Sequence, residues 1–344
     1  MNDEILKYWI ALKSIKGIGY VSFPELVDRF GSPAAVFGAS VSDLQQTDGI
    51  SRQIAEAIVH FRGWDNVKAE LELIRKNNVN IITYQDELYP GQLLNVYDRP
   101  PYIYVRGNLS REDINLAIVG SRAASTYGKY TTERISRDLA LQGVTVVSGM
   151  ARGIDSSAHR GAITAHGRTV AILGSGLDVI YPPENKKLFA DIVENGAAIS
   201  EFPMGTPPRS TNFPARNRII SGMSYGVVIV EAGEKSGSLI TARLALEQGR
   251  EVFAVPGSID SAGSRGTNKL IKQGAKLIEN TEDILEEILP QIEQRKPLKG
   301  FSAPGTLNAA SPPMEKLNAA EQKLYDLVSQ KRMHIDDLIS VTGF

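Results

Sequence analysis

The chain of 344 residues contains no cysteine and very little histidine. Without thiols it forms no disulfide, no thiolate nucleophile and no cysteine-ligated zinc site, and its composition suits a reducing compartment. The four histidines lie far apart in the sequence and give no spacing typical of a metal site. We therefore expect no metal, no other cofactor and a cytoplasmic location.

Long apolar runs and a large net charge are also missing. No stretch is long and apolar enough to span a bilayer, and the opening residues MNDEILKYWIALK carry too many charges for a signal peptide. We expect no membrane association. The net charge is −1, but residues 120–220 hold more lysine and arginine than aspartate and glutamate. That imbalance favours a local anion-binding surface on an otherwise neutral protein.

Two common phosphate-binding signatures are absent. The turn that begins at Gly120 does not match GxGxxG, because Arg122 and Ser125 stand where glycines are required. The turn EAGEKSGS at 231–238 does not match the P-loop pattern GxxxxGK[ST]. These departures argue against a dinucleotide site and against nucleoside triphosphate hydrolysis.

Glycine-rich turns are nevertheless abundant, and each follows an apolar run typical of a buried strand. They are AIVGSR at 117–122, VVSGMARGID at 146–155, VAILGSG at 170–176, NFPARNRIISG at 212–222 and VVIVEAGEKSGSL at 227–239. The residues that follow parallel strands share one edge of the sheet, where ligands bind. Glycine lets the backbone approach a ligand, and amides at a helix N-terminus favour anions. This pattern predicts phosphate binding rather than bond breaking.

The candidate binding residues are the turn glycines together with the polar and basic side chains beside them. Arginine binds phosphate through two nitrogens and also stacks on bases. The candidates are Gly120, Ser121, Arg122, Gly149, Arg152, Gly153, Gly174, Gly176, Lys186, Arg216, Asn217, Arg218, Lys235, Ser236, Gly237 and Ser238. We expect a phosphate to be held by the amides at 120–122, Ser121 and Arg122, and Asp155 to cap the next helix. Tyr127, Tyr181 and Phe213 are the nearest aromatic residues.

From residue 115 onwards, strand and helix patterns alternate regularly. Predicted strands are 115–119, 144–148, 168–173, 197–200, 226–231, 251–255 and 276–278, and predicted helices are 127–141, 155–166, 184–194, 215–222, 237–248 and 265–273. Short apolar strands without polar alternation indicate a sheet that is covered on both faces. The sequence therefore predicts an α/β fold with a Rossmann-like, doubly wound parallel sheet.

The flanking regions differ from this central part. Residues 1–62 predict a small all-α domain, in which KGIGY at 16–20 and DGIS at 48–51 resemble helix-hairpin-helix turns. Such turns contact DNA backbone phosphates, but glycine-capped helix ends would give the same pattern. Residues 63–290 form the predicted main domain, to which strand candidates at 79–84 and 102–105 add. Residues 291–316 predict a linker, and 317–344 an incomplete winged-helix-like segment.

In this order and spacing, the motifs GSR, SGMARGID, GSG…YPP, FPARNRIISG, EA…KSGSL and VFAVPG resemble the DprA/Smf family of bacterial DNA-processing proteins. The resemblance covers roughly 89–290. It implies a non-enzymatic protein that binds and protects single-stranded DNA, forms a homodimer and loads the RecA recombinase during natural transformation. It implies DNA contact at Gly120, Ser121, Arg122, Gly149, Arg152, Arg216, Asn217, Arg218 and Lys235.

An enzyme remains the alternative. The central region is also similar to lysine-decarboxylase-like phosphoribohydrolases, which act on nucleotides through a glutamate in the motif PGGxGTxxE. This chain has EAGEKSGSLITARLALE in the comparable region, with a serine-rich turn instead. The departure favours binding over hydrolysis.

Overall fold

The structure, a computed structural model, describes residues 3–293. Most of the predicted linker and the whole winged-helix-like segment lie outside the described residues. The described part contains one mixed sheet with strands β1 (Asn80–Thr83), β2 (Tyr102–Gly107), β3 (Ile114–Val119), β4 (Val144–Ser148), β5 (Thr169–Ile172), β6 (Gly196–Ser200), β7 (Gly226–Ile229), β8 (Glu251–Ala254) and β9 (Lys276–Leu277).

The spatial order of these strands is β1-β2-β6-β5-β4-β3-β7-β8-β9. Strands β3 to β9 are mutually parallel, whereas β1 and β2 join one edge as an antiparallel pair. The predicted Rossmann-like α/β fold is confirmed. The two early strand candidates extend the sheet as expected, and the antiparallel pairing of β2 with β1 and β6 makes it mixed.

The helices are α1 (Asp3–Ser14), α2 (Ser22–Phe30), α3 (Pro33–Phe37), α4 (Val41–Leu44), α5 (Arg52–Val59), α6 (Trp64–Lys76), α7 (Thr126–Leu141), α8 (Ile154–Thr164), α9 (Lys186–Asn195), α10 (Asn212–Gly222), α11 (Ser238–Glu247), α12 (Arg265–Lys272) and α13 (Glu282–Glu293). Side chains of the central strands alternate between two apolar cores. Ala171 packs with the core that includes α1 to α6, and its neighbours Val170 and Ile172 pack with the core that includes α10 and α11. Both faces of the sheet are thus covered, as the apolar strands indicate.

The start of α8 differs from the expectation. Asp155 is not the N-cap, because the helix begins at Ile154 and the N-cap position is Gly153. Gly153 has φ 75°, which glycine adopts without strain, and a methyl group there would collide with the carbonyl oxygen of Ser121. Asp155 therefore lies in the first helical turn, where its carboxylate accepts a hydrogen bond from the Ala151 amide at 3.3 Å.

A buried polar cluster connects the N-terminal helices to the sheet. Glu201, which directly follows β6, accepts a hydrogen bond from the Tyr20 hydroxyl at 2.6 Å and forms an ion pair with Arg218 of α10. The Lys13 ammonium donates to the Glu201 carbonyl at 2.8 Å. The side chains of Arg218 and Glu201 are only 6% and 2% exposed. Buried charges are tolerated when they are paired, so each depends on the other.

Replacing Arg218 should therefore destabilise the fold. Arg218→Ala leaves the Glu201 carboxylate buried without its cation, and we expect the free energy of unfolding to fall by about 3–5 kcal/mol. Chemical denaturation measures the loss, and Arg209→Ala, at an exposed arginine, is the matched control. Equal stability of the two variants would contradict the structural role of this pair.

His159 on α8 is a second buried polar group. Its Nδ1 lies 2.7 Å from the Thr169 hydroxyl, and the residue is fully buried. Burial lowers the pKa of His159 to about 3, from an ordinary value of 6.5, because the charged ring would lose its hydration. The folded protein therefore holds this ring neutral where the unfolded chain would protonate it.

This difference predicts how stability depends on pH. Between pH 6.5 and 3 the unfolded state binds a proton at His159 that the folded state excludes, so stability falls as the pH falls. The contribution is at most ~1.4 kcal/mol per pH unit. His159→Asn, which keeps a hydrogen-bonding group near Thr169, should remove this part of the slope in denaturation curves, and exposed His166→Gln should not. An unchanged slope in His159→Asn would disprove the assignment.

Candidate nucleic-acid interface

The main groove of the described structure lies where the strand order reverses. The chain adds β4, β5 and β6 on one side of β3, then crosses to add β7, β8 and β9 on the other. A groove of about 910 Å³ runs along the turns that follow β3 and β7. Doubly wound sheets bind ligands at this reversal, just beyond the carboxyl ends of the strands.

The structure brings most of the predicted residues together here. The groove is lined by Gly120, Ser121, Arg122, Arg216, Asn217, Lys235, Ser236, Gly237 and Ser238. A smaller cleft that shares Arg122 and Arg216 adds Gly149, Arg152 and Gly174. Gly153, Gly176, Lys186 and Arg218 line neither cavity. Of these, Lys186 is exposed at the start of α9, and Arg218 faces the buried Glu201.

Arg122 is the basic side chain most available to a ligand. It is exposed and forms no salt bridge within residues 3–293. Its guanidinium carbon lies 5.0 Å from the ring centroid of Phe213, a cation–π contact. The Tyr181 ring lies 5.9 Å from the same Phe213 ring, so the groove also carries an aromatic surface. Tyr127, by contrast, is outside the lining, with its hydroxyl 3.5 Å from the Pro256 carbonyl.

Arg216 lies below the groove and is buried. Its Nη1 donates to the Gly149 carbonyl at 2.6 Å and to the Ile172 carbonyl, so one side chain ties the ends of β4 and β5 together. Burial lowers the pKa of Arg216 to about 10, although the Asp155 carboxylate opposes this shift, and the group stays charged at neutral pH. Gly149 is required because a methyl group there would collide with the guanidinium. Arg216 therefore supplies positive charge from a fixed position.

Two further basic residues differ in whether an acidic side chain pairs with them. Arg152 forms an ion pair with Glu184 at the surface, and both side chains are more than half exposed. Lys235 is exposed in the turn before α11 and has no salt bridge within residues 3–293. In that turn Ser236 and Ser238 share a hydrogen bond of 2.8 Å, and Gly237 faces open space. Lys235 thus joins Arg122 as a cation available to a ligand.

One amide of the cradle expected at 120–122 is already bonded within the protein. The Ser121 amide donates to the Glu231 carbonyl at 2.7 Å, and the Ser121 hydroxyl accepts from the Ala123 amide at 3.2 Å. The Glu231 carboxylate accepts from both the amide and the hydroxyl of Ser125, at 3.1 and 2.9 Å. The Ser121 amide is therefore not available to a phosphate, because a protein oxygen already accepts from it. Arg122 is available through its side chain.

Acidic groups are scarce in the groove. Among the described residues that line it, Asp155 is the only carboxylate, and it is 5% exposed. Burial raises its pKa, although the nearby Arg216 counteracts that rise. Residues 3–293 contain no group of three or more potential metal ligands of the kind that holds an ion. None of their helices is long and apolar enough to cross a membrane. The groove thus offers cations, hydroxyls and aromatic rings, and little that could act as a general base.

Known proteins share this architecture. Residues 80–289 match the family model described as DNA recombination-mediator protein A. The Smf protein of Escherichia coli K12 is 47% identical over 247 residues, which cover 71% of this chain and 66% of that protein. The X-ray structure of DprA from Streptococcus pneumoniae superposes with a TM-score of 0.73 at 34% identity, covering 82% of this chain and 97% of that one.

A second solved structure is DprA from Helicobacter pylori, whose description names a single-stranded DNA binding mode. It aligns with a TM-score of 0.56 and 32% identity over 62% of this chain and 97% of the other. The family model alone covers more than half of the sequence, and the S. pneumoniae structure shares its fold. The chain belongs to the DNA recombination-mediator protein A family, the DprA/Smf proteins.

Proposed function

We propose that the groove binds single-stranded DNA without catalysing a reaction on it. The observation that carries this proposal is Arg122, a cation that forms no salt bridge within residues 3–293 and lies against the Phe213 ring inside the groove. A guanidinium holds a phosphate and an aromatic face stacks a base, so the pair suits a strand whose bases are exposed. The H. pylori relative, described by its single-stranded DNA binding, supports the same substrate.

The nucleotide-hydrolysing alternative has less support. Hydrolysis of this type needs a carboxylate that can reach the substrate, and the lining offers only the buried Asp155, which already accepts the Ala151 amide. Lys235 and Ser236 stand in the turn where the phosphoribohydrolases have their motif. Release of a free base from nucleoside monophosphates would establish the enzyme instead.

We also propose a homodimer and a handover of DNA to RecA, which membership of this family supports. Ile284 and Ile288 of α13 are buried within the chain, whereas Leu246 of α11 and Leu277 of β9 are exposed. A symmetric contact would therefore involve α11, α12 and the β9 edge. Light scattering at tens of micromolar should show a dimer, and a monomer there would contradict the contact.

RecA filament nucleation on coated single strands should accelerate with the protein present, and no acceleration would contradict the handover.

The DNA proposal predicts a preference for single strands. Phosphates bound by side chains carry no sequence information, and stacking tolerates every base, so binding should depend strongly on salt and weakly on sequence. Fluorescence anisotropy with one labelled strand, the same strand in blunt duplex and a mononucleotide competitor measures this preference. Equal or tighter binding of the duplex in the same buffer would contradict the proposal.

Arg122 provides the residue-level test. Arg122→Ala should weaken single-strand binding by roughly 1–3 kcal/mol, the scale of one charge-assisted contact. The salt dependence should become shallower by about one phosphate's share. Its stability should stay close to that of the parent, since the side chain is exposed. Parental DNA binding combined with early unfolding would show that Arg122 is structural and that the phosphate site is misplaced.

A further inference from the structure

Glu231, two residues beyond the end of β7, is not part of the groove lining. Its backbone carbonyl accepts from the Ser121 amide, and its carboxylate accepts from the amide and the hydroxyl of Ser125. The same Ser125 hydroxyl accepts from the Gly128 amide at 3.0 Å and caps α7. Glu231 therefore holds both ends of the five-residue segment 121–125, which contains Arg122.

The carboxylate is closely surrounded. Gly128 and Gly263 both face it, and a methyl group on either would collide with its oxygens. The next residue of the turn, Ala232, accepts from the Gly266 amide at 2.8 Å and so joins the first turn of α12. Three segments that are remote in sequence meet at this side chain. Such packing fixes the position of the carboxylate, and through Ser125 it fixes the segment that carries Arg122.

The charge of Glu231 has a consequence for the ligand. An anion at a helix N-terminus interacts favourably with the helix dipole, and the Glu231 carboxylate takes that place at α7. A DNA phosphate would be repelled from this helix start. Arg122, a cation without a salt bridge within residues 3–293, is on the same segment, and its guanidinium lies against the Phe213 ring in the groove.

We propose that Glu231 is a positioning residue for DNA binding: it fixes the 121–125 segment so that the Arg122 guanidinium is presented beside Phe213. This inference rests on the proposed function. Glu231 acts through Arg122 and does not itself touch the strand.

If Glu231 positions Arg122, removing its carboxylate should weaken DNA binding, whereas the loss of its negative charge alone should strengthen DNA binding. Removing a carboxylate beside a polyanion site should by itself tighten binding. If Glu231 positions Arg122, Glu231→Ala should instead weaken single-strand binding about tenfold, the scale of one lost charge-assisted contact. Glu231→Gln keeps a side-chain oxygen for Ser125 and should bind within about twofold of the parent, since an acceptor rather than a charge is needed.

Glu234→Ala is the matched control, because Glu234 is an exposed acid in the same turn. It should bind DNA equally well or slightly more tightly. In the Arg122→Ala background, Glu231→Ala should have less than about twofold further effect, since coupled residues are not additive. The salt slope of Glu231→Ala should match that of Arg122→Ala. A purely structural role would instead weaken binding to the same extent in both backgrounds.

The outcomes separate this inference from the function on which it rests. Absence of single-strand binding by the parent protein overturns the proposed function. Parental binding that Arg122→Ala weakens and Glu231→Ala leaves unchanged, or tightens, overturns only the positioning role. If Glu231→Ala does not fold, Ser125→Ala breaks the same side-chain contact from the other partner. Ser125→Ala should then bind single-stranded DNA more weakly than the parent. Adding Ser125→Ala to Arg122→Ala should not weaken binding further, and any other result contradicts the proposal.

Discussion

The crossing from β6 to β7 is the constraint on which the rest of the structure depends. The chain must pass from one side of β3 to the other, and α10 carries it across the reversal of strand order. Arg216 of this helix binds the end carbonyls of β4 and β5, while Arg218, two residues on, binds the carboxylate that follows β6. The crossing helix is thus tied to three strand ends by two charged side chains. These ties close one wall of the groove and place a fixed positive charge below it.

The neighbours of each arginine decide what that arginine can do. The N–H groups of a buried guanidinium need hydrogen-bond acceptors within the protein. Arg216 therefore donates to backbone carbonyls, and Arg218 pairs with a carboxylate. Arg152 is exposed but shares its charge with Glu184. Arg122 contacts an aromatic face, which attracts the cation and leaves its N–H groups available. Arginine thus stabilises the fold at positions 216 and 218 and is available to a ligand at position 122.

Much of this arrangement follows from the sequence because its strands are short apolar runs and its turns are marked by glycine. The strand over Ile114–Val119 and the helix over Thr126–Leu141 each lie within one residue of expectation. The structural details that differ from the predictions depend on contacts between residues far apart in the sequence. Ser125 and Glu231 are 106 residues apart, so no local pattern shows that the Ser125 amide is already bonded. The position of Asp155 likewise follows from a close approach of Gly153 to Ser121.

The central claim is that a single strand occupies the groove with its bases near the Phe213 and Tyr181 rings. Photo-crosslinking measures this most directly, with strands that carry 5-iodouracil at successive positions and mass spectrometry of the adducts. The account predicts adducts on Phe213 or Tyr181 that excess unlabelled single strand suppresses. Adducts confined to the N-terminal helical region, with none on these two rings, would contradict it.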